Sequence, residues 1–237
     1  MNVVRAALER WGAAAAPWRV LLVGGLLALL LTVLGAEVLD NVLDGAGVAG
    51  LDRPALSWVV EHRTSALTSF FVAVSTLGNT AVVATVSVVV VAGMLLARQW
   101  VSAGQVALAQ LGAGALVVAG KAAVGRQRPP EVTRLAVEQT LSFPSGHALG
   151  TTVLAVTLVS VVWRYSRRWP YARRRSVRVF SAAVAALVAS AVGVSRVYLG
   201  VHWVTDVLGG WLIGGTWAIV CLTVAVLLGL RVRASVR

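Results

Sequence analysis

Three short polar stretches hold the residues of this chain that could do chemistry. The first runs from Lys121 through Arg126 to Arg128-Pro129, the second is Pro144-Ser145-Gly146-His147, and the third joins Ser195-Arg196 to His202 and Asp206. Each borders a long apolar run, where an ionisable side chain is expensive and so marks function. Lysine offers a point charge and arginine a planar fork of donors, and both suit phosphate oxygens. A helix opening after Pro144 would present free backbone N–H groups and partial positive charge, a ready anion site. In that stretch Gly146 permits close approach, Ser145 can cap the helix or donate its hydroxyl, and His147 can protonate a leaving oxygen. His202 and Asp206 lie four residues apart and share a helix face. A carboxylate there can hold the proton on one ring nitrogen and leave the other free to attack. Together these residues form an inventory for gripping a phosphate and breaking a bond to it. Taken singly, each stretch also has a plain structural reading: snorkelling cations, an ordinary capped helix start, and a local His–Asp hydrogen bond anchoring a span.

The elements that must position them follow from composition. The 237 residues are 58% hydrophobic and 13% charged, where a soluble domain carries roughly a quarter charged residues. Apolar runs lie near Val20–Ala36, Thr80–Ala97, Val101–Gly120, Leu149–Val162, Phe180–Val194 and Val207–Leu230. Most approach the roughly 20 residues that a helix needs to cross a bilayer, and none shows the period-two polarity of a barrel strand. The fourth and fifth runs are short and are expected to borrow flanking residues such as His147, Trp163 and Ser195. The expected fold is therefore all-α, a six-span transmembrane helical bundle forming one domain over residues 1–237. An additional short interfacial helix is expected to start at Asp52-Arg53-Pro54 and run through Trp58 to Phe70, with Leu56, Val59, Val60 and Leu67 on its apolar face.

Charge orients the spans. Arg5, Arg10 and Arg19, then Arg98, then Arg164, Arg167, Arg168, Arg173, Arg174, Arg175 and Arg178, and finally Arg231, Arg233 and Arg237 all fall on one side of a six-span chain. The positive-inside rule makes that side cytoplasmic, with both termini there. Eight of the nine acidic residues fall on the opposite side, all but Glu9. The same parity puts all three polar stretches at the outer face of the cell membrane, where they can converge. The net charge of +12 alternates with spans instead of lining a groove. It reads as topology plus contact with anionic lipid, and no nucleic-acid partner is expected. Among the outward cations Arg126 is read as a snorkelling residue, and His62 as a surface histidine. Gly45 to Gly50 has dinucleotide-binding spacing but no preceding strand, so it reads as a flexible outer loop. The first run is read as a retained span and not as a signal peptide cut near Leu34-Gly35-Ala36, because its removal would leave five crossings. The single cysteine, Cys221, lies within an apolar run and forms no intrachain disulfide.

These motifs resemble the type 2 phosphatidate phosphatase and vanadium haloperoxidase superfamily. Its pattern is a lysine, six residues and Arg-Pro; then Pro-Ser-Gly-His; then Ser-Arg, five residues, His, three residues and Asp. Lys121 with Arg128-Pro129, Pro144-Ser145-Gly146-His147, and Ser195-Arg196 with His202 and Asp206 match it without departure over a motif core of 121–206. The resemblance implies a membrane lipid phosphatase in which His202 is the nucleophile, Asp206 orients it, and His147 is the general acid. It assigns Lys121, Arg128, Ser145, Gly146 and Arg196 to the phosphate oxygens, and it implies no metal and no cofactor. The implied substrate is a membrane lipid phosphate or diphosphate, such as polyprenyl diphosphate, phosphatidate or phosphatidylglycerol phosphate, hydrolysed through a phosphohistidine. The alternatives are a lipid-phosphate binding or transport protein without turnover, and phosphotransfer to an acceptor other than water.

Overall fold

In a bilayer every backbone polar group must be satisfied within the protein, so long apolar runs become helices. The computed structural model describes residues 2–235, with side chains over 17–229 apart from Arg168. The side chains of Arg5, Glu9, Arg10, Arg168, Arg231 and Arg233, and all of Arg237, lie outside the described residues. Among the described residues the chain is helical without strands. Its helices are α1 (Asn2–Asp44), α2 (Asp52–Glu61), α3 (Ser65–Thr76), α4 (Thr80–Leu96), α5 (Trp100–Val124), α6 (Gly146–Tyr165), α7 (Tyr171–Tyr198) and α8 (Val204–Ser235).

Five of these helices are long and apolar enough to cross a membrane, and α3 with α4, a pair bent by 41°, brings the number to six when the two are taken as one broken span. The chain is a multi-pass membrane protein of the expected architecture. The fourth and fifth spans do extend over His147, Trp163 and Ser195. The additional short helix is present as α2, starting at Asp52. The stretch expected to run unbroken from Trp58 to Phe70 instead divides at His62, where Thr64 caps α3 by accepting from the Leu67 N–H. A second break follows at Leu77–Asn79, where Asn79 caps α4 through the Ala81 N–H. The Gly45–Gly50 stretch is a turn followed by a 3-10 helix over Gly47–Leu51, tied by the Asn41 side chain to the Val48 N–H at 3.0 Å. His62 is exposed, its ring stacked on Trp58.

Helix α6 sits at the centre, against α5, α7 and α8, while α1 lies along α8. Ala109, Ala113, Leu149, Val153, Ala218 and Cys221 form the core, so Cys221 is a packing residue. Helices α6 and α8 meet backbone to backbone. A Cβ on Gly210 would lie 2.8 Å from the Ser145 carbonyl, and one on Gly214 would lie 2.8 Å from the Leu149 carbonyl. Small residues four apart let two helix backbones meet in this way. The consequence is functional, because it sets the start of α6 beside the start of α8. At the opposite end, Arg164 ties α6 to α5 through Ser102 at 3.0 Å and Gln105 at 3.2 Å.

Candidate active site

The three polar stretches converge at one end of the bundle. Gly125 ends α5 in the left-handed region at φ 64°, a conformation glycine adopts without strain. The chain then turns across the bundle end as the loop 126–145, whose Ser142 N–H donates to the Arg126 carbonyl at 2.8 Å. Ser145 starts α6, and its hydroxyl accepts from the Ala148 N–H at 3.4 Å. The Ser145 N–H donates to the Asp206 carbonyl at 3.0 Å, which joins the second stretch to the third.

His202 sits between α7 and α8, 2% exposed, with Asp206 fully buried one turn away. His202 Nδ1 lies 3.3 Å from Asp206 Oδ2, and His202 Nε2 lies 3.2 Å from Arg128 Nη1. A carboxylate can only accept and a guanidinium can only donate. The ring is therefore protonated at Nδ1 and carries its lone pair at Nε2, on the side of the cations. Burial pushes the His202 pKa down to about 4, with the Asp206 hydrogen bond acting in the opposite direction. At neutral pH the imidazole is uncharged, as a nucleophile requires.

Arg128 also donates to the carbonyls of Val201 and Thr140, both at 2.6 Å, which fixes its fork. Arg196, at the end of α7, donates from Nη1 to Ser75 on α3 at 2.7 Å. Its Nε is buried without a partner among the described residues. Ser195 turns its hydroxyl back to the Val192 carbonyl at 2.6 Å. Lys121 donates to the Leu141 carbonyl and to the Thr140 hydroxyl. His147 follows Gly146 in the first turn of α6, half-buried, and its ring has no hydrogen-bond partner among the described residues.

Two site residues escaped the sequence reading. Glu138, counted there only as an acid on the outer side, reaches into the cluster and pairs with both Arg196 and Arg128. Burial would raise its carboxyl, but Arg196 and Arg128 overcome that and hold it below the usual carboxylate range. Its position marks where those two arginines hold an anion. Arg126 is the second, and its reading as a snorkelling residue is corrected. It bridges Asp206 and Asp52, at 2.7 Å to each, and donates to Thr205 at 2.7 Å. Buried carboxylates need a cation at hydrogen-bond distance, and that demand outweighs any pull towards the interface.

A chain whose histidine, carboxylate and cations converge this way has relatives. The PAP2 superfamily profile matches residues 102–228, more than half of the chain. The chain belongs to the PAP2 superfamily. It is 38% identical over 85 residues to phosphatidylglycerophosphatase B of Bacillus subtilis, covering 36% of this chain and 39% of that protein. It is 40% identical over 73 residues to an undecaprenyl-diphosphatase of Sulfolobus acidocaldarius, covering 31% of this chain and 28% of that one. The matched stretches thus span under two-fifths of the length of these PAP2 relatives. The fold resembles the crystal structure of a transmembrane PAP2 type phosphatidylglycerolphosphate phosphatase from Bacillus subtilis, with a TM-score of 0.71 at 24% identity over 82% of this chain and 93% of that one. Aquifex aeolicus LpxE superposes with a TM-score of 0.54 at 23% identity, over 74% of this chain and 94% of that one.

Proposed function

We propose that this PAP2 protein is a membrane lipid phosphatase that transfers the phosphoryl group to His202 and then to water. The observation that carries this reading is the orientation of His202. Its Nδ1 is held by Asp206, and its Nε2 lone pair faces Arg128 beside Arg196, where those arginines hold the Glu138 carboxylate. A substrate phosphate takes the place of that carboxylate. Nε2 attacks phosphorus, an N–P bond forms, and the bond from phosphorus to the leaving oxygen breaks as His147 gives that oxygen its proton. Water then attacks phosphorus and returns a proton to His147. The N–P bond breaks, orthophosphate leaves, and neutral His202 is restored. Lys121, Arg128 and Arg196, with the α6 N-terminus at Ser145 and Gly146, neutralise the charge that builds on the phosphoryl oxygens. Fixed donors of this kind commonly supply the largest catalytic contribution, and the reading needs no metal.

The substrate reaches this site from the bilayer. A cleft of about 730 Å³ runs between α4 and α5 to Gly146, lined mainly by apolar side chains such as Val83, Val91, Leu111 and Val118. An acyl or prenyl tail fits that lining while the phosphate stays among the cations. The names of the relatives support a glycerolipid phosphate or a polyprenyl diphosphate as substrate. The positive-inside pattern supports cytoplasmic termini and an active site at the outer face.

The test is phosphate release from detergent-dispersed lipid monophosphates and diphosphates, with His202→Ala as control. Release abolished by that substitution supports the reading. Full activity of His202→Ala contradicts it, and binding without release that ignores His147→Ala favours a non-hydrolytic binder.

A further inference from the structure

Arg126 stands apart from the cations assigned to phosphate, because its guanidinium bridges two buried carboxylates. Arg126 gives Nη1 to Asp206 Oδ1 and Nη2 to Asp52 Oδ2, each at 2.7 Å. Asp52 is 3% exposed, and it also accepts from the Thr205 N–H at 3.0 Å and the Thr205 hydroxyl at 2.6 Å. Asp206 Oδ2 is shared by His202, the Ser142 hydroxyl and the Trp203 N–H. Arg126 therefore holds the carboxylate by the oxygen that His202 does not use, and Asp52 holds Arg126. Its guanidinium also lies against the Trp203 ring, 5.7 Å from the centroid.

We propose that Asp52 and Arg126 are positioning residues for the His202–Asp206 pair, which makes α2 part of the catalytic machinery without reaching the phosphate. The proposal rests on His202 acting as the nucleophile. A carboxylate gripped at both oxygens cannot rotate, so the imidazole it orients stays aimed at the phosphate site. The bridge also balances charge. Arg126 offsets part of the Asp206 charge, and Asp52 offsets part of the Arg126 charge. The groups facing His202 are Asp206 from α8, Arg196 from α7, His147 from α6, and Arg128 and Glu138 from the loop; Lys121 from α5 and Arg126 from the loop face Asp206, with Asp52 from α2 behind Arg126.

Opposite signs follow from removing the two ends of the bridge. Without the Arg126 cation, His202 binds its proton more readily. Without the Asp52 anion, the uncompensated Arg126 makes that proton harder to bind. The full chain in detergent, with 13C-labelled histidine, reports the His202 titration directly. The acid limb of kcat/KM for dioctanoyl phosphatidate reports it in turnover. Arg126→Gln is expected to raise the titration midpoint and Asp52→Asn to lower it, each by roughly half to one pH unit. The double variant, which removes both charges, is expected to return towards wild type. Arg126→Gln is also expected to lower kcat at least about tenfold with KM nearly unchanged, as for loss of an interaction made in the transition state. Shifts of the same sign, or no shift in either variant, overturn the proposal. If Arg126→Gln does not fold, Arg126→Lys decides. It keeps the charge but loses the fork, so an unmoved midpoint with reduced kcat supports the proposal and wild-type kcat overturns it. Failure of the nucleophile reading itself appears separately, as activity surviving in His202→Ala.

Discussion

His202 Nε2 and Arg128 Nη1 stand 3.2 Å apart, on the edge of the ring away from Asp206. A cation so close to a neutral imidazole nitrogen repels its proton, so Arg128 keeps that lone pair free and, in the proposed reaction, lies where the attacked phosphate sits. In the proposed reaction the pair joins two functions that the sequence motifs present separately, activating the nucleophile and binding the anion.

Asp206→Asn keeps the shape of the carboxylate but offers His202 an amide that can donate as well as accept. The ring then loses its fixed tautomer. Activity should fall by about 10³- to 10⁴-fold, by analogy with an orienting aspartate in a serine-protease triad, while KM changes little. A steady-state comparison of kcat and KM checks this, and a drop confined to KM speaks against the orienting role.

The acidity of His202 sets a limit on activity. Its pKa is pushed down to about 4 by burial, so the proposed nucleophile is neutral above that pH and protonated below it. The rate of phosphoenzyme formation should therefore hold constant from neutral pH down to about 5 and fall as pH drops through about 4. A limb in that rate near the ordinary histidine value of about 6.5 would mean that the ring is not desolvated as the structure has it.

Glu138 pairs with both Arg128 and Arg196, so on the proposed reading a phosphate or phosphate mimic displaces it. Glu138→Gln removes the competing charge and should tighten binding of orthovanadate, on the order of tenfold for about 1.4 kcal/mol of relieved competition. Calorimetric titration of the detergent-solubilised protein measures it. Weaker vanadate binding would show that Glu138 supports the site and does not compete for it.

Gly214 carries a stability prediction. A Cβ there would stand 2.8 Å from the Leu149 carbonyl, backbone that cannot step aside. Gly214→Val should destabilise the protein by about 1–3 kcal/mol as overpacking does and should spread the α6 and α8 starts, lowering activity as well. Thermal unfolding in detergent checks the first effect. An unchanged midpoint would mean that the two helices are not held as closely as described.

The crossings were legible because each is a long apolar run, and the three motifs were legible because their residues have fixed spacing. The Asp52–Arg126 bridge was not, since its partners are 74 residues apart and no local pattern couples them. Glu138 lies in a loop without periodicity and outside the matched motifs, so only the folded loop could bring it between two arginines. The break after His62 did carry a signal, Thr64 ahead of Ser65-Ala66-Leu67, which is a helix N-cap. The apolar positions on either side of it obscured that signal. The α6–α8 contact was written as Gly210 and Gly214, four residues apart, within a run otherwise read only for its hydrophobicity.

The central claim is that phosphate passes through His202. The protein can be mixed with 32P-labelled lipid phosphate, quenched rapidly in alkali, which preserves phosphohistidine, and digested for mass spectrometry. An acid-labile phosphoryl group on the peptide containing His202, formed at a rate no slower than turnover and missing from His202→Ala, is the expected result. Turnover with no labelled enzyme at any quench time, or label on another residue, contradicts it.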